Sequence, residues 1–260
     1  MNDIPIWLVF VGTFALVVFG VELGLKGGRA LGAGRPGDTE RQSTASAISS
    51  AVTGLTAFIL SFTFGLVADR YDTRSTLVRD EANAIAAVSQ LLDILPAAER
   101  PQAQALIRQY VELRLAAHAS HDPAQMLAAI GKTPPIQAAL WQTALAHAQR
   151  DPNTNLSGQL VKAVNELGDL QSNRIAIALQ NRIATGIWVA LAVLLLIGAI
   201  TIGYVNAVDE TKRSRLVPVL AAAFALVVTL IAVLDRPQSR FISVSQQPFL
   251  DLKNSLPPAR

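Results

Sequence analysis

Three histidines are the first candidates for chemistry, and two sit together: His118 and His121, followed by Asp122, put two imidazoles and a carboxylate within one helical turn. These are donors of the kind a zinc or other transition-metal site uses. A third, distant ligand is missing, and a solvated helix end closed by Pro123 accounts for the same residues, so the spacing assigns no metal. His147 stands alone. No serine, histidine and aspartate, and no pair of carboxylates, is spaced so as to single out a nucleophile or a proton-transfer pair, and the chain is read as a non-enzyme without a cofactor. Gly32, Gly34 and Gly37 match the glycine pattern of a dinucleotide-binding turn. That turn needs a strand before it and a helix opening within it, whereas here an apolar helical run precedes and Pro36 interrupts. The lack of any cysteine removes thiolate metal sites, disulfides and cysteine nucleophiles together.

The other groups that stand out lie in or beside apolar runs. Gly20 and Gly24, four residues apart, have the spacing that lets two helix backbones approach closely, and Glu22 lies on the same turn. An acid at that depth either reaches headgroup water as an interfacial anchor or takes part in ion passage. Farther on, Ser49, Thr53, Thr56, Leu60, Thr63 and Val67 follow at steps of four and three and so form one seam of a helix. Ala51, Leu55, Phe58, Phe62 and Leu66 make another face, with two phenyl rings one turn apart. A hydroxyl seam can pack on neighbouring helices or line a wet pore, and a phenyl face can meet lipid or form a constriction that expels water. Thr56, Thr63, Phe58 and Phe62 are the pore candidates, and the spacing leaves both readings open.

The elements that must carry these residues follow from composition. Charged residues make up 16% of the chain, against about 25% in soluble domains, and 51% of residues are hydrophobic, the balance of a membrane protein. A net charge of +3 does not suggest nucleic acid unless it is clustered, and it clusters only beside apolar runs. Four charge-free runs, residues 4–21, 45–68, 183–208 and 216–234, suit a hydrocarbon core of about 30 Å, which takes about 20 helical residues to cross. Lipid offers the backbone no partners and none of the runs alternates as a barrel strand does, so each is read as a helix. The first run has Asp3 instead of a basic start and no small-x-small cleavage site after it, which favours a retained anchor over a cleaved leader.

The expected fold is therefore all-α: an integral membrane protein with four transmembrane helices and a helical extramembrane domain inserted between the second and third. In order, this gives a first crossing over 1–25, a short basic glycine-rich loop over 26–44, a second crossing over 45–68, the domain over 69–182, a third crossing over 183–208, a short basic loop over 209–215, a fourth crossing over 216–234 and a tail over 235–260. The domain holds eleven basic and eleven acidic residues, and its prolines divide it into helices near 75–95, 100–119, 123–130, 135–150 and from 156 onward. With no proline between 156 and 204, the last of these is expected to run unbroken into the third crossing, and the second crossing to continue past Ala68 in the same way. The two short loops carry Lys26, Arg29, Arg35, Arg41, Lys212, Arg213 and Arg215, which by the positive-inside rule places them in the cytoplasm and the domain outside a cell (inner) membrane. Arg70, Arg74, Arg79, Arg174 and Arg182, flanking the membrane on the domain side, weigh against that orientation.

Residues 60–96, reading LSFTFGLVADRYDTRSTLVRDEANAIAAVSQLLDILP, and the tail, with Asp235-Arg236-Pro237 followed by ISVSQQPFL, resemble the bacterial bestrophin-like domain family of four-span membrane proteins. The resemblance covers nearly the whole chain, and its most specific pieces are residues 69–72, Glu81-Ala82-Asn83-Ala84 and Asp235-Arg236-Pro237. Through a remote likeness to bestrophins, pentameric anion channels whose second crossing lines the pore, it implies a homo-oligomer, with five the subunit number suggested, and hydrophobic side chains at a neck. On matching positions, Phe58 and Phe62 become the neck candidates, with Thr56 and Thr63 as alternative liners. Bestrophins keep their large domain in the cytoplasm, whereas the charge count here leans the other way. Two readings follow: a passive oligomeric channel whose partners are the bilayer, copies of itself and ions, or a membrane-anchored scaffold whose domain binds a partner without conduction.

Overall fold

The computed structural model describes residues 4–31, 39–120, 123–151, 155–180, 183–208, 216–236, 242 and 244–256. Every regular element among them is helical: α1 Ile6–Ala30, α2 Thr39–Leu91, a short 3-10 turn Leu92–Ile94, α3 Arg100–Ala119, α4 Pro123–Gly131, α5 Thr133–Arg150, α6 Asn155–Gln180, α7 Thr185–Val208, α8 Val217–Asp235 and α9 Gln247–Ser255. Four of these, α1, α2, α7 and α8, are long and apolar enough to cross a membrane. The chain divides into two compact units, Met1–Arg70 with Arg182–Ile242, and Tyr71–Asn181 with Ser243–Arg260.

In the first unit α1 packs along α7 and α8. The cause is a stripe of glycines at every fourth position of α1: a methyl group at Gly20 would meet Ala199 Cβ at 2.7 Å, at Gly28 it would meet Ala207 Cβ at 2.6 Å, and at Gly24 it would overlap the Ile200 carbonyl oxygen. Gly203 of α7 answers in kind against the Val21 carbonyl oxygen. Small residues thus let two backbones touch where lipid supplies no hydrophobic drive for association. Val17, Val21, Ala199, Val217 and Ala221 form the buried core beside this seam. The outer faces stay apolar and exposed, with Trp7, Phe19 and Leu226 each at 60% or more, which is the surface a helix offers to hydrocarbon.

The expected loop over 26–44 is shorter than its glycines suggest. α1 runs through Gly27 and Gly28 to Ala30, and α2 already begins at Thr39. Glycine costs a helix about 1 kcal/mol relative to alanine, but Gly28 belongs to the stripe that packs on α7, and that packing keeps the last turns helical. α8 ends one residue later than expected, at Asp235.

The second unit buries one apolar core, drawn from the last turns of α2 (Val78, Ile85, Val88), from α3 (Ile107, Val111), α5 (Leu140) and α6 (Leu160, Leu167), and from α9, whose Phe249 is fully covered. α3 spans the expected 100–119 with Pro101 in its first turn, where the missing N–H is no loss. α2 does continue past Ala68, to Leu91. The other expected continuous helix is broken: α6 ends at Gln180, and Ile183 and Ala184 are not helical before α7 opens at Thr185. The Ile183 N–H donates to the Asp235 carboxylate at 3.0 Å instead of to a helical carbonyl, and Thr185 and Gly186 are weak helix formers. The 235–260 tail, for which no helix was expected, contains α9.

Candidate functional site

The seam and the phenyl face proposed from spacing lie on opposite sides of α2. Ser49, Thr56, Leu60, Thr63 and Val67 are buried within the chain. Thr56 Oγ1 donates to the Val52 carbonyl at 2.8 Å, with the α7 carbonyl of Leu194 at 3.5 Å, and Thr63 Oγ1 donates to the Ile59 carbonyl at 2.7 Å. These hydroxyls are spent on helix carbonyls, as threonines inside apolar helices commonly are. Gly198 of α7 lies against Thr56 and Val52, so the seam faces α7. A void among Val17, Thr53, Thr56, Leu195, Gly198 and Phe224 measures about 10 Å³, room for about one water and no hydrated ion. Phe58 and Phe62 point the other way, 65% and 60% exposed. Their neighbours on that face are small or apolar: Ser50, Gly54, Ala57, Ser61 and Gly65 are exposed beside Leu55. Glu22 is half-buried on α1, on the turn between the two glycines that touch α7.

Two charged clusters are not announced by spacing alone, and each is centred on a carboxylate from a stretch that carries the family resemblance, Asp235 in one and Glu81 in the other. In the first unit, buried Asp235 at the end of α8 receives the Ile183 N–H and lies 3.5 Å from the Arg70 guanidinium of α2, while Arg236 donates to the Ile4 carbonyl at 2.6 Å. One carboxylate thereby ties the end of α8, the start of α7 and α2 together where the apolar runs end. A backbone N–H left without a partner there would cost about 1–3 kcal/mol.

The second cluster lies in the core of the second unit, centred on the fully buried Glu81. Its carboxylate accepts from the Tyr110 hydroxyl at 2.6 Å, is held by the Arg114 guanidinium through two contacts of 2.9 Å and is bonded to Arg174. Gln171, which donates to Thr133, lies 3.3 Å from the Tyr110 oxygen, and Arg174 stacks over the Phe249 ring at 5.4 Å while also reaching Gln246. Burial disfavours the Glu81 charge, but Arg114, Arg174 and the tyrosine hydroxyl outweigh it and hold the carboxyl below the usual range. Burial and the neighbouring Glu81 charge push the Tyr110 hydroxyl well above the ordinary phenol value. Burial and the Arg114 charge press the Arg174 value downward. The network joins α2, α3, α6 and the segment leading into α9 through one carboxylate.

A signal for this cluster did exist. Glu81 falls among Val78, Ala82, Ile85 and Val88 on the apolar face of its helix, and Leu160, Val164, Leu167, Gln171 and Arg174 form a seam at steps of four, three, four and three. A charge on an apolar face must find a buried partner. What the spacing could not name was the partner, which lies 33 residues from Glu81 in one case and 93 in the other.

His118 closes the last turn of α3, whereas His121 and Asp122 lie outside the described residues. So do Gly32 to Gly37 of the glycine motif, Lys212, Arg213 and Arg215 of the second short loop, and Pro237 of the tail motif. Nothing among curated proteins or solved structures matches the chain. Residues 13–249 do match one family, described as Bestrophin-like domain. With four helices fit to cross a membrane, and with that match spanning the run from α1 into α9, the chain belongs to the bestrophin-like domain family of multi-pass membrane proteins.

Proposed function

We propose that the chain is one subunit of a homo-oligomeric ion channel in which copies of α2 surround a common axis, with Phe58 and Phe62 forming the neck. The observation that carries this reading is the exposure of both rings on the face of α2 opposite the seam that packs on α7. A second support is the void beside Thr56, which has no room for a hydrated ion and so favours a path between copies over one through that part of a single chain's bundle. A ring of phenyl side chains gates because a narrow apolar constriction expels water and leaves the ion to bear its dehydration cost. The function requires no catalysis and no cofactor. In this reading the second unit stands outside the bilayer of a cell (inner) membrane, and the short connections, rich in lysine and arginine, face the cytoplasm.

Purified protein in planar bilayers tests it. Phe58→Ala or Phe62→Ala should raise open probability or conductance. Unchanged currents in both variants would exclude this neck, and no current from the wild type would exclude the channel. Native mass spectrometry separates the alternative: a closed ring of several copies is required for an axial path, whereas a monomer or dimer fits a membrane-anchored scaffold.

A further inference from the structure

We infer that the first unit carries a binding site for an anionic phospholipid in the cleft between the first turns of α2 and the last turns of α7. The cleft has a volume of about 330 Å³ and is lined by Glu40, Arg41, Thr44, Ala45, Ile48 and Tyr204. This size lies in the range of small-molecule sites. Its lining is ordered along the helix. Arg41 and Thr44, just outside the charge-free run that starts at residue 45, and Tyr204, one turn from the end of the 183–208 run, form a polar mouth, and Ala45 and Ile48 form an apolar wall one and two turns from Arg41. Ile48 is 54% exposed, so an apolar side chain stands open beside the polar mouth. Phosphate at the mouth and an acyl chain along Ile48 is the order a phospholipid presents.

The mouth is also preorganised. Arg41 donates to the Tyr204 oxygen from Nε at 3.3 Å and from Nη2 at 3.1 Å, which fixes the planar guanidinium, the side chain best matched to phosphate. Gly28 of α1 backs onto the Tyr204 ring, bringing the last turns of α1, with Lys26 and Arg29, to the same end of the unit. Basic pockets between membrane helices are recognised headgroup sites. Glu40, exposed at the rim, is the one acid among the described residues of the lining and weakens the pull on a free anion. A lipid offsets this loss through the acyl contact with Ile48, whereas inorganic phosphate cannot, and the occupant is accordingly a lipid. The inference depends on the first unit lying in a bilayer and is independent of conduction.

The test is native mass spectrometry of the delipidated full chain in detergent, titrated with phosphatidylglycerol or with phosphatidylcholine. Phosphatidylglycerol should bind several-fold more tightly. Arg41→Gln should weaken it about fivefold, the equivalent of about 1 kcal/mol for one cation at the membrane surface, and weaken phosphatidylcholine less, because that lipid's own choline cation already offsets its phosphate. Tyr204→Phe, which loses only the hydroxyl that fixes the guanidinium, should weaken phosphatidylglycerol less, and Arg41→Lys should restore part of the preference. Equal binding of the two lipids, or a phosphatidylglycerol affinity untouched by Arg41→Gln, overturns the proposal. Displacement of the lipid by an equal concentration of inorganic phosphate also overturns it, in favour of a free-anion site. Should Arg41→Gln fail to fold, Tyr204→Phe carries the comparison, and unchanged phosphatidylglycerol binding in that variant overturns the proposal.

Discussion

Gly24→Ala should be among the most damaging single-methyl changes in the first unit. The added carbon would overlap the Ile200 carbonyl oxygen and lie 2.8 Å from the carbonyl carbon and 2.9 Å from the Tyr204 nitrogen. These are backbone atoms of α7, which cannot swing aside as the end of a flexible side chain can. Ordinary contact begins at 3.4 Å, so α1 and α7 must part, by on the order of 1 Å, along a seam that also includes Gly20, Gly28 and Gly203. Overpacking of this kind costs about 1–3 kcal/mol and occasionally more. Because all three contacts here are with rigid backbone the upper end applies, and alanine returns about 1 kcal/mol of helix propensity, leaving about 2 kcal/mol of destabilisation. Gly203→Ala should match it, and the double variant should cost less than the sum, since one separation of the helices makes room for both methyl groups. Gly54 and Gly65 on α2 are the controls: apart from their own helix's nearby backbone and adjacent residues, no described atom lies within 4 Å of a methyl group at either position, so their alanine variants should be as stable as the wild type or slightly more so. The assay is unfolding of the purified protein in one detergent, with the oligomer mass recorded in parallel. A Gly24→Ala protein as stable as the wild type would refute the close-packed seam. Loss of assembly in Gly54→Ala or Gly65→Ala without loss of subunit stability would show a second copy on that face of α2.

In the second unit, Glu81→Gln leaves Arg114 and Arg174 without their buried counter-charge and should cost about 3–5 kcal/mol of unfolding free energy, measured by denaturant titration with circular dichroism; a cost within error of zero would mean the arginines find other partners. Because the folded Glu81 carboxyl keeps its charge to lower pH than the unfolded one, the unfolded chain takes up the proton first, so this stabilisation is present above about pH 4.3 and is lost as pH falls through the folded value. Stability should therefore be flat from neutrality to about pH 5 and decline in acid, and Glu81→Gln should remove part of that decline. Asp235→Asn keeps an oxygen for the Ile183 N–H but loses the charge facing Arg70, so in thermal unfolding it should cost less than Asp235→Ala, which loses both; equal costs would assign the whole effect to the charge. Phe249→Ala empties a fully buried site and removes the ring under Arg174, and should destabilise the second unit by about 3–5 kcal/mol; a loss under about 1 kcal/mol would show α9 to be dispensable.

Much of this protein could be read residue by residue because its signals are local. Charge-free runs of the right length marked α1, α2, α7 and α8, since lipid admits only helices and closed barrels and none of the runs alternates as a barrel strand does. Prolines marked the starts of α3, α4 and α5 to within two residues, because the ring suits a first turn and breaks a later one. The spacing of Thr56, Thr63, Phe58 and Phe62 divided them into two faces, for periodicity is a property of one helix alone. Which face met α7 was decided across the bundle, by Gly198 leaving room beside Thr56. The break between α6 and α7 has no proline to announce it and depends on a carboxylate 52 residues away. The partners of Glu81, the docking of Phe249 and the cleft beside Tyr204 are equally non-local: each joins residues that become neighbours only when helices pack, and burial, not position along the chain, sets which charges must meet.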